Sequence, residues 1–246
     1  MSIDWHTRFE QQAGWTRHLR AYLFRRAGIE QARRVLEVGC GTGAVLAEVP
    51  GPAARFGLDL EPARLSEARL HAPAARLVCA DAHALPFPDA AFDLTFCHFL
   101  LLWLRDPLRA LGEMKRVTRP GGFILALAEP DYSRRLDRPA ELEPLGRWQT
   151  ESLRRQGADP SLGGRLADLF QRAGIRLLET GSLRQGGERP LSAREREIEW
   201  AVLEADLAGL LPQAEIQRLK QLDAQAWQAG KRILYVPTHF AWGKRP

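Results

Sequence analysis

Cysteine is scarce in this 246-residue chain, and the three present, Cys40, Cys79 and Cys97, stand far apart with no CxxC and no paired Cys/His spacing. These absences argue against a disulfide framework and a zinc centre, and the compartment expected is a reducing one, the cytoplasm. Long apolar runs are missing as well. Nothing approaches the ~20 residues that a membrane span needs, and Met1 to Arg8 has no apolar core of the kind a secretory signal requires. No internal repeat is visible. Blocks of one charge are also lacking: the formal net charge is +5, yet the arginines are interspersed with acids, as in Ser192 to Glu199. The excess therefore reads as a solvated mixed-charge surface, which argues against a nucleic-acid partner.

What is present is an ordinary globular composition, 45% hydrophobic, in a length that fits one domain with an insertion. Between Arg34 and Glu129 short apolar runs alternate with amphipathic stretches. Strands are expected over Arg34 to Val38, Arg55 to Asp59, Arg76 to Ala80, Asp93 to His98, and Phe123 to Ala128. The last is apolar throughout, as a central strand buried on both faces should be. Helices are expected over Gly43 to Val49, from Pro62, and from Pro107 behind an Asp106 cap. Repeated βα units of this length predict a doubly wound α/β sheet, mostly parallel, with helices on both faces. After Glu129 the texture changes. Asp131 to Glu143 reads as loop, Leu145 to Gln156 as helix, and Leu162, Leu166, Leu169 and Phe170 trace another helical face that Gly174 closes. Ile175 to Thr180 returns to strand. Ser192 and Glu195 have capping-box spacing for a helix reaching about Leu210, a further helix runs from Pro212 to Gly230, and Ile233 to Trp242 reads as a closing strand that Pro237 interrupts or moves to an edge.

The strongest local signal is Val35-Leu36-Glu37-Val38-Gly39-Cys40-Gly41-Thr42-Gly43, a glycine turn directly after a buried strand. Glycine lets the backbone turn sharply and lets a ligand approach its amides. Gly39, Gly41 and Ala44 also satisfy the dinucleotide fingerprint, so the turn alone leaves an NAD-dependent dehydrogenase open. Charge separates the two readings. A pyrophosphate wants amides and a positive helix end, whereas S-adenosylmethionine brings a sulfonium and an ammonium with one carboxylate. Three acids sit at successive strand ends on one sheet edge: Glu37, two residues before the first glycine; Asp59, placed to accept from ribose hydroxyls; and Asp81, placed to accept from an adenine amino group. They favour the cationic cofactor.

These residues resemble the class I S-adenosylmethionine-dependent methyltransferases of the ubiquinone-biosynthesis-like, small-molecule type. The resemblance spans Val35 to Glu129 and rests on the glycine segment, Gly57-Leu58-Asp59-Leu60, Asp81-Ala82-His83-Ala84-Leu85-Pro86-Phe87-Pro88-Asp89, Phe92-Asp93-Leu94 and Arg116-Val117-Thr118-Arg119-Pro120-Gly121-Gly122. It implies a seven-stranded sheet with an antiparallel last strand, in a single domain. Residues 1–30 would form a helical lid, 31–130 the cofactor-binding core, and 131–173 with 190–230 a helical substrate cap. It also implies that Gly39, Cys40, Gly41 and Gly43 lie against the methionine part, with Glu37 beneath. Asp59 would hold the ribose, Leu60 would pack on the adenine, and Asp81 and Ala82 would bracket its edge. Cys97 and His98 would approach the methyl group, and Trp15 would lie over the cofactor unless it anchors its helix to the sheet.

Methyl transfer is an in-line displacement, so alignment supplies much of the acceleration and a base matters mainly for protonated acceptors. His98 and Asp131, the latter beside Tyr132, are the candidate bases, each with a structural role as the alternative. The fourth strand lacks the Asn/Asp-Pro-Pro-Tyr arrangement used on amide or base amino groups. The expected partner is a small-molecule acceptor walled by residues such as Trp148, Gln149, Arg165, Trp200 and Trp227. An RNA methyltransferase is the alternative that the sequence pI of about 9.5 keeps open. No metal site is expected.

Overall fold

The computed structural model describes residues 3–183 and 191–246; the first two residues of the expected lid and the first of the second cap segment fall outside them. The chain begins with α1 (Trp5–Arg26), capped by Asp4, whose carboxylate accepts from the Thr7 amide. The apolar runs then become strands: β1 (Arg34–Val38), β2 (Ala54–Asp59), β3 (Arg76–Cys79), β4 (Phe92–Cys97) and β5 (Thr118–Pro130). Between them stand α2 (Pro62–His71) and α3 (Pro107–Val117). Pro107 opens α3, and Asp106 accepts from the Arg109 amide at 2.9 Å. Beyond β5 come β6 (Leu136–Arg138), α4 (Glu143–Arg155), α5 (Leu166–Arg172), β7 (Arg176–Leu183), α6 (Ala193–Leu207), α7 (Gln213–Gln228), β8 (Ile233–Tyr235) and β9 (Thr238–Lys244). Ser192 and Glu195 form the reciprocal capping box of α6.

The main sheet runs β3-β2-β1-β4-β5-β9-β7, with β9 antiparallel to both neighbours. This is the doubly wound, seven-stranded architecture expected. Its core lies on two faces. Leu36, Val38, Ile124 and Ala126 pack with α3 and α5 residues such as Leu111, Met114 and Phe170. Val35, Leu94, Phe96 and Leu125 pack with Leu23 and Phe24 of α1 on the other side. A third cluster, Leu142, Leu145, Trp200, Leu203 and Leu219, joins α4, α6 and α7.

Three expectations differ from the fold. Gly43 to Val49 is not an α-helix but turns that end in one 3-10 turn, Leu46–Glu48. Pro50 disfavours helical geometry at Val49, which is extended (φ −61°, ψ 119°). The single closing strand is two: Pro237 separates β8 from β9, and β8 leaves the main sheet to pair with β6. That pairing also places a strand in the stretch read as loop.

The small β6–β8 sheet is tied to the helices by buried charge. Arg232 bonds to Asp137 and Asp223, Arg135 pairs with Asp137, and the Trp200 indole N–H donates to Asp223 at 2.8 Å. Removing one partner leaves the others charged and dry, which is costlier than never having buried them. Arg232→Ala is expected to lower unfolding stability by about 3–5 kcal/mol, read as a fall in the urea midpoint; a change within error of zero would show that water replaces the guanidinium.

Candidate active site

Strand order reverses at β1, which has β2 on one side and β4 on the other, and a cavity of about 980 Å³ opens beyond the carboxyl ends of these strands. Open α/β sheets bind ligands at this point. The volume lies near the top of the range of roughly 300–1,000 Å³ for ligand pockets, room for two small molecules side by side.

The floor is the glycine turn. Gly39 and Gly41 have φ of +72° and +52°, in the left-handed region, and both line the cavity with Cys40. A Cβ on Gly39 would stand 2.6 Å from the Leu100 side chain, and one on Gly41 2.9 Å from Phe9. Glu37 lies beneath, 2% exposed, and its Oε2 has no hydrogen-bond partner. Burial raises its pKa well above the carboxylate range; the Arg20 guanidinium pulls it down and the Asp59 carboxylate adds to the rise. An orphaned carboxylate oxygen in a cavity wall is what a cationic ligand would satisfy.

Asp59, at the end of β2, accepts from the Gly41 amide at 2.8 Å and the Glu61 amide at 3.0 Å, so it is oriented from both sides. Leu60 follows it with 63% of its surface exposed. Asp81 accepts from the His83 amide at 2.8 Å, and that bond holds its carboxyl below the usual range. Ala82 is buried beside it, and all four residues line the cavity.

Across the cavity stands α1, presenting Trp5, Arg8, Phe9 and Gln12 at helical spacing. Arg8 is buried, bonded to Gln11 and Glu199. His98 follows β4 and reaches the cavity wall, its Nε2 2.9 Å from the Thr16 hydroxyl of α1. Thr16 also receives a bond from Arg20, itself paired with Glu48. Burial, with the Arg20 cation nearby, drives the His98 pKa well below 6.5, so the ring is neutral at physiological pH.

Four of the residues expected to hold the cofactor or act as base do not line this cavity. Gly43 turns away, and the space of its missing Cβ faces Ala68 of α2 and Ala72, which caps that helix. Cys97 ends β4 with its side chain in the core, because successive strand residues point to opposite faces and His98 has the cavity side. Asp131 stands between β5 and a 3-10 turn (Tyr132–Arg134): Pro130 and Tyr132 line the cavity, while the Asp131 carboxylate accepts from the Ser133 hydroxyl. Trp15 sits two turns along α1 from Arg8 and lies against that guanidinium, 5.0 Å away. Of the proposed acceptor walls only Gln149 faces the cavity; Trp200 is buried in the helical cluster.

Sequence reading missed Trp5, Phe9, Trp103, Gln156, Val202 and Asp206, which line the cavity from elements distant in the chain. It also missed Glu129, fully buried at the end of β5. Glu129 accepts from the amides of Leu100 and Leu101, both at 2.9 Å, and Leu102 at 3.3 Å, fixing the segment that carries Leu100 onto the glycine turn. The local signal was an acid closing an otherwise apolar strand.

Residues 36–126 match the methyltransferase domain family. The chain is 43% identical over 99 residues to a malonyl-[acyl-carrier protein] O-methyltransferase of Halorhodospira halophila, covering 38% of this chain and 34% of that one. It is 34% identical over 185 residues to a trans-aconitate 2-methyltransferase of Methylobacterium radiotolerans, covering 69% of this chain and 65% of that one. The fold matches a Haemonchus contortus phosphoethanolamine N-methyltransferase solved with S-adenosylhomocysteine, with TM-score 0.59 and 18% identity over 94% of this chain and 52% of that one. The match to the Halorhodospira relative thus spans about a third of that protein's length. Residues 36–126 thus form a methyltransferase domain, as the motifs implied, and the surrounding chain has the fold of solved methyltransferases.

Glu129 gives a pH signature. Burial pushes its pKa up to about 7 against the pull of the three amides, while in the unfolded chain it is ~4.3. Between these values the native state holds the extra proton, so its stabilising contribution is complete at low pH and is lost as pH rises to about 7. Glu129→Gln is expected to flatten this slope, worth up to ~3 kcal/mol, in urea midpoints measured from pH 5 to 8. An unchanged slope would assign it to other groups.

Proposed function

We propose that the protein transfers the methyl group of S-adenosylmethionine to a small-molecule acceptor, in the cytoplasm. The observation that carries this reading is the unpaired Oε2 of buried Glu37 under the glycine turn. An ammonium pairs with it once the carboxyl gives up its proton, whereas a pyrophosphate would keep it protonated and gain no ion pair. The family supports the same cofactor, and among the described residues no cluster of three or more metal-ligating side chains competes for the site. No described helix is long and apolar enough to cross a membrane.

In this reading Glu37 and the amides around Gly39 and Gly41 hold the amino-acid end, Asp59 the ribose, and Leu60, Asp81 and Ala82 the adenine. When bound, the cofactor supplies a methyl carbon already activated by its sulfonium leaving group. The chain supplies alignment and a dry cavity. Trp5, Phe9 and Gln12 of α1 cover one side, and Leu100, fixed through Glu129, closes the other. His98 is neutral and held by Thr16, so it orients or accepts a hydrogen bond from the acceptor. An acceptor that is already nucleophilic at neutral pH needs no more. The differing acceptors in the relatives' names, malonyl-[acyl-carrier protein] and trans-aconitate, support the reaction class and leave acceptor choice to the helices α4 and α6, which we assign as a cap with α1 as lid.

S-adenosylhomocysteine is expected to raise the melting midpoint and NAD to leave it unchanged; the reverse pattern would sink the assignment. Glu37→Gln should weaken S-adenosylhomocysteine binding at least about tenfold, the loss of a charge-assisted hydrogen bond. The raised pKa of Glu37 adds a sign. Below that pKa, pairing with an ammonium requires release of the Glu37 proton, so affinity should climb with pH in the parent and lose that climb in Glu37→Gln. Calorimetry in two buffers of different ionisation enthalpy measures the released proton directly.

A further inference from the structure

A second groove of about 360 Å³ adjoins the cavity, and Trp5, Gln156, Val202 and Asp206 line both. Beyond this doorway the groove is walled by Ile3, Ala205, Gly209 and Leu210, with Arg155 on one side. We propose that the groove holds a linear apolar chain attached to the methyl acceptor, whose reacting end lies in the cavity; this rests on the methyltransferase reading above.

Continuity is the first support. Gln149 and Leu153 of α4 face the cavity, Ser152 and Arg155 face the groove, and Gln156 faces both. On α6, Val202 and Asp206 face both and Ala205 the groove, at the three- and four-residue spacings of one helix face. The two spaces therefore share the same two helices, with the start of α1 across them. A molecule too long for the cavity has a path along α6.

The polar groups at the doorway are the second support. Both oxygens of Asp206 are taken, one by Gln149 at 3.1 Å and the other by Gln156 at 3.0 Å, and Arg135 donates to the Gln149 amide oxygen. Burial raises the Asp206 pKa further. An alkyl chain passing this trio leaves none of these groups unpaired. Beyond it Ile3, Ala205, Gly209 and Leu210 line the way, with Ser152 and Arg155 as the polar groups on the α4 side. Trp5, 41% exposed at the lip, is apolar surface that such a chain would cover. At the inner end Arg8, Gln149 and the Tyr132 side chain offer polar contacts to a head group.

The test uses the full chain saturated with S-adenosylhomocysteine and titrated calorimetrically with n-alkanoates from butanoate to dodecanoate. Affinity is expected to rise about fourfold per methylene, ~0.8 kcal/mol for each buried CH₂, over the middle of the series. Ala205 is exposed on the groove wall, so Ala205→Trp fills the groove from outside and should flatten the rise for the longer members. Ala205→Glu, which adds a charge with less bulk, should weaken the same members. Affinities independent of chain length in the parent, or equal slopes in the parent and both variants, would overturn the proposal. S-adenosylhomocysteine binding is measured first and separately: its failure sinks the methyltransferase reading, whereas its success with a flat series sinks only the groove.

Discussion

A carboxylate buried without a full set of partners is expensive, and the site is arranged around one. Glu37 sits on a central strand, under a turn whose glycines bring backbone amides to the same place. Its nearest compensating cation, Arg20, is shared with Glu48 and bonded to Thr16, so it lowers the Glu37 pKa without cancelling the effect of burial. The same arginine lowers the basicity of His98 through its field. One helix thus sets the charge on the floor of the cavity and on its side wall. Under the proposed function, the free energy stored in the unpaired Glu37 oxygen is returned when a cation arrives, which couples cofactor capture to relief of desolvation.

The parts of this molecule that local chemistry dictates were legible in the sequence. Strands β1 and β2, the Asp106 cap with Pro107, and the Ser192–Glu195 box follow from period, capping and proline geometry acting over a few residues. The glycine turn and its acids were legible for the same reason, since each lies at a strand end whose direction the topology fixes. The helix expected after Gly43 gives way to turns because Pro50 holds Val49 extended.

The rest of the site depends on tertiary placement. Asp131 and Cys97 lie at strand ends on the binding edge, but the turns that follow β4 and β5 bring His98 and Tyr132 to the cavity instead. The resemblance puts Trp15 over the cofactor, while the face of α1 that meets the cavity is the one bearing Trp5, Phe9 and Gln12. That face mixes aromatic, charged and amide residues and has no periodic apolar stripe to mark it. Asp206 and Val202 join the wall only because α6 packs against α4, far from the core motifs in sequence.

The position of β9 has a consequence for how the chain reaches this state. β7 is bonded to the sheet only through β9, which is made after α6 and α7. On a ribosome, the edge formed by β5 therefore stays open while two helices are synthesised, and β7 has nothing in the main sheet to join. The sheet closes by insertion of a late strand between two earlier ones, a high-contact-order step of the kind that folds slowly. Until then β5 presents an unprotected edge, the form in which a nascent chain is most open to pairing with a neighbour.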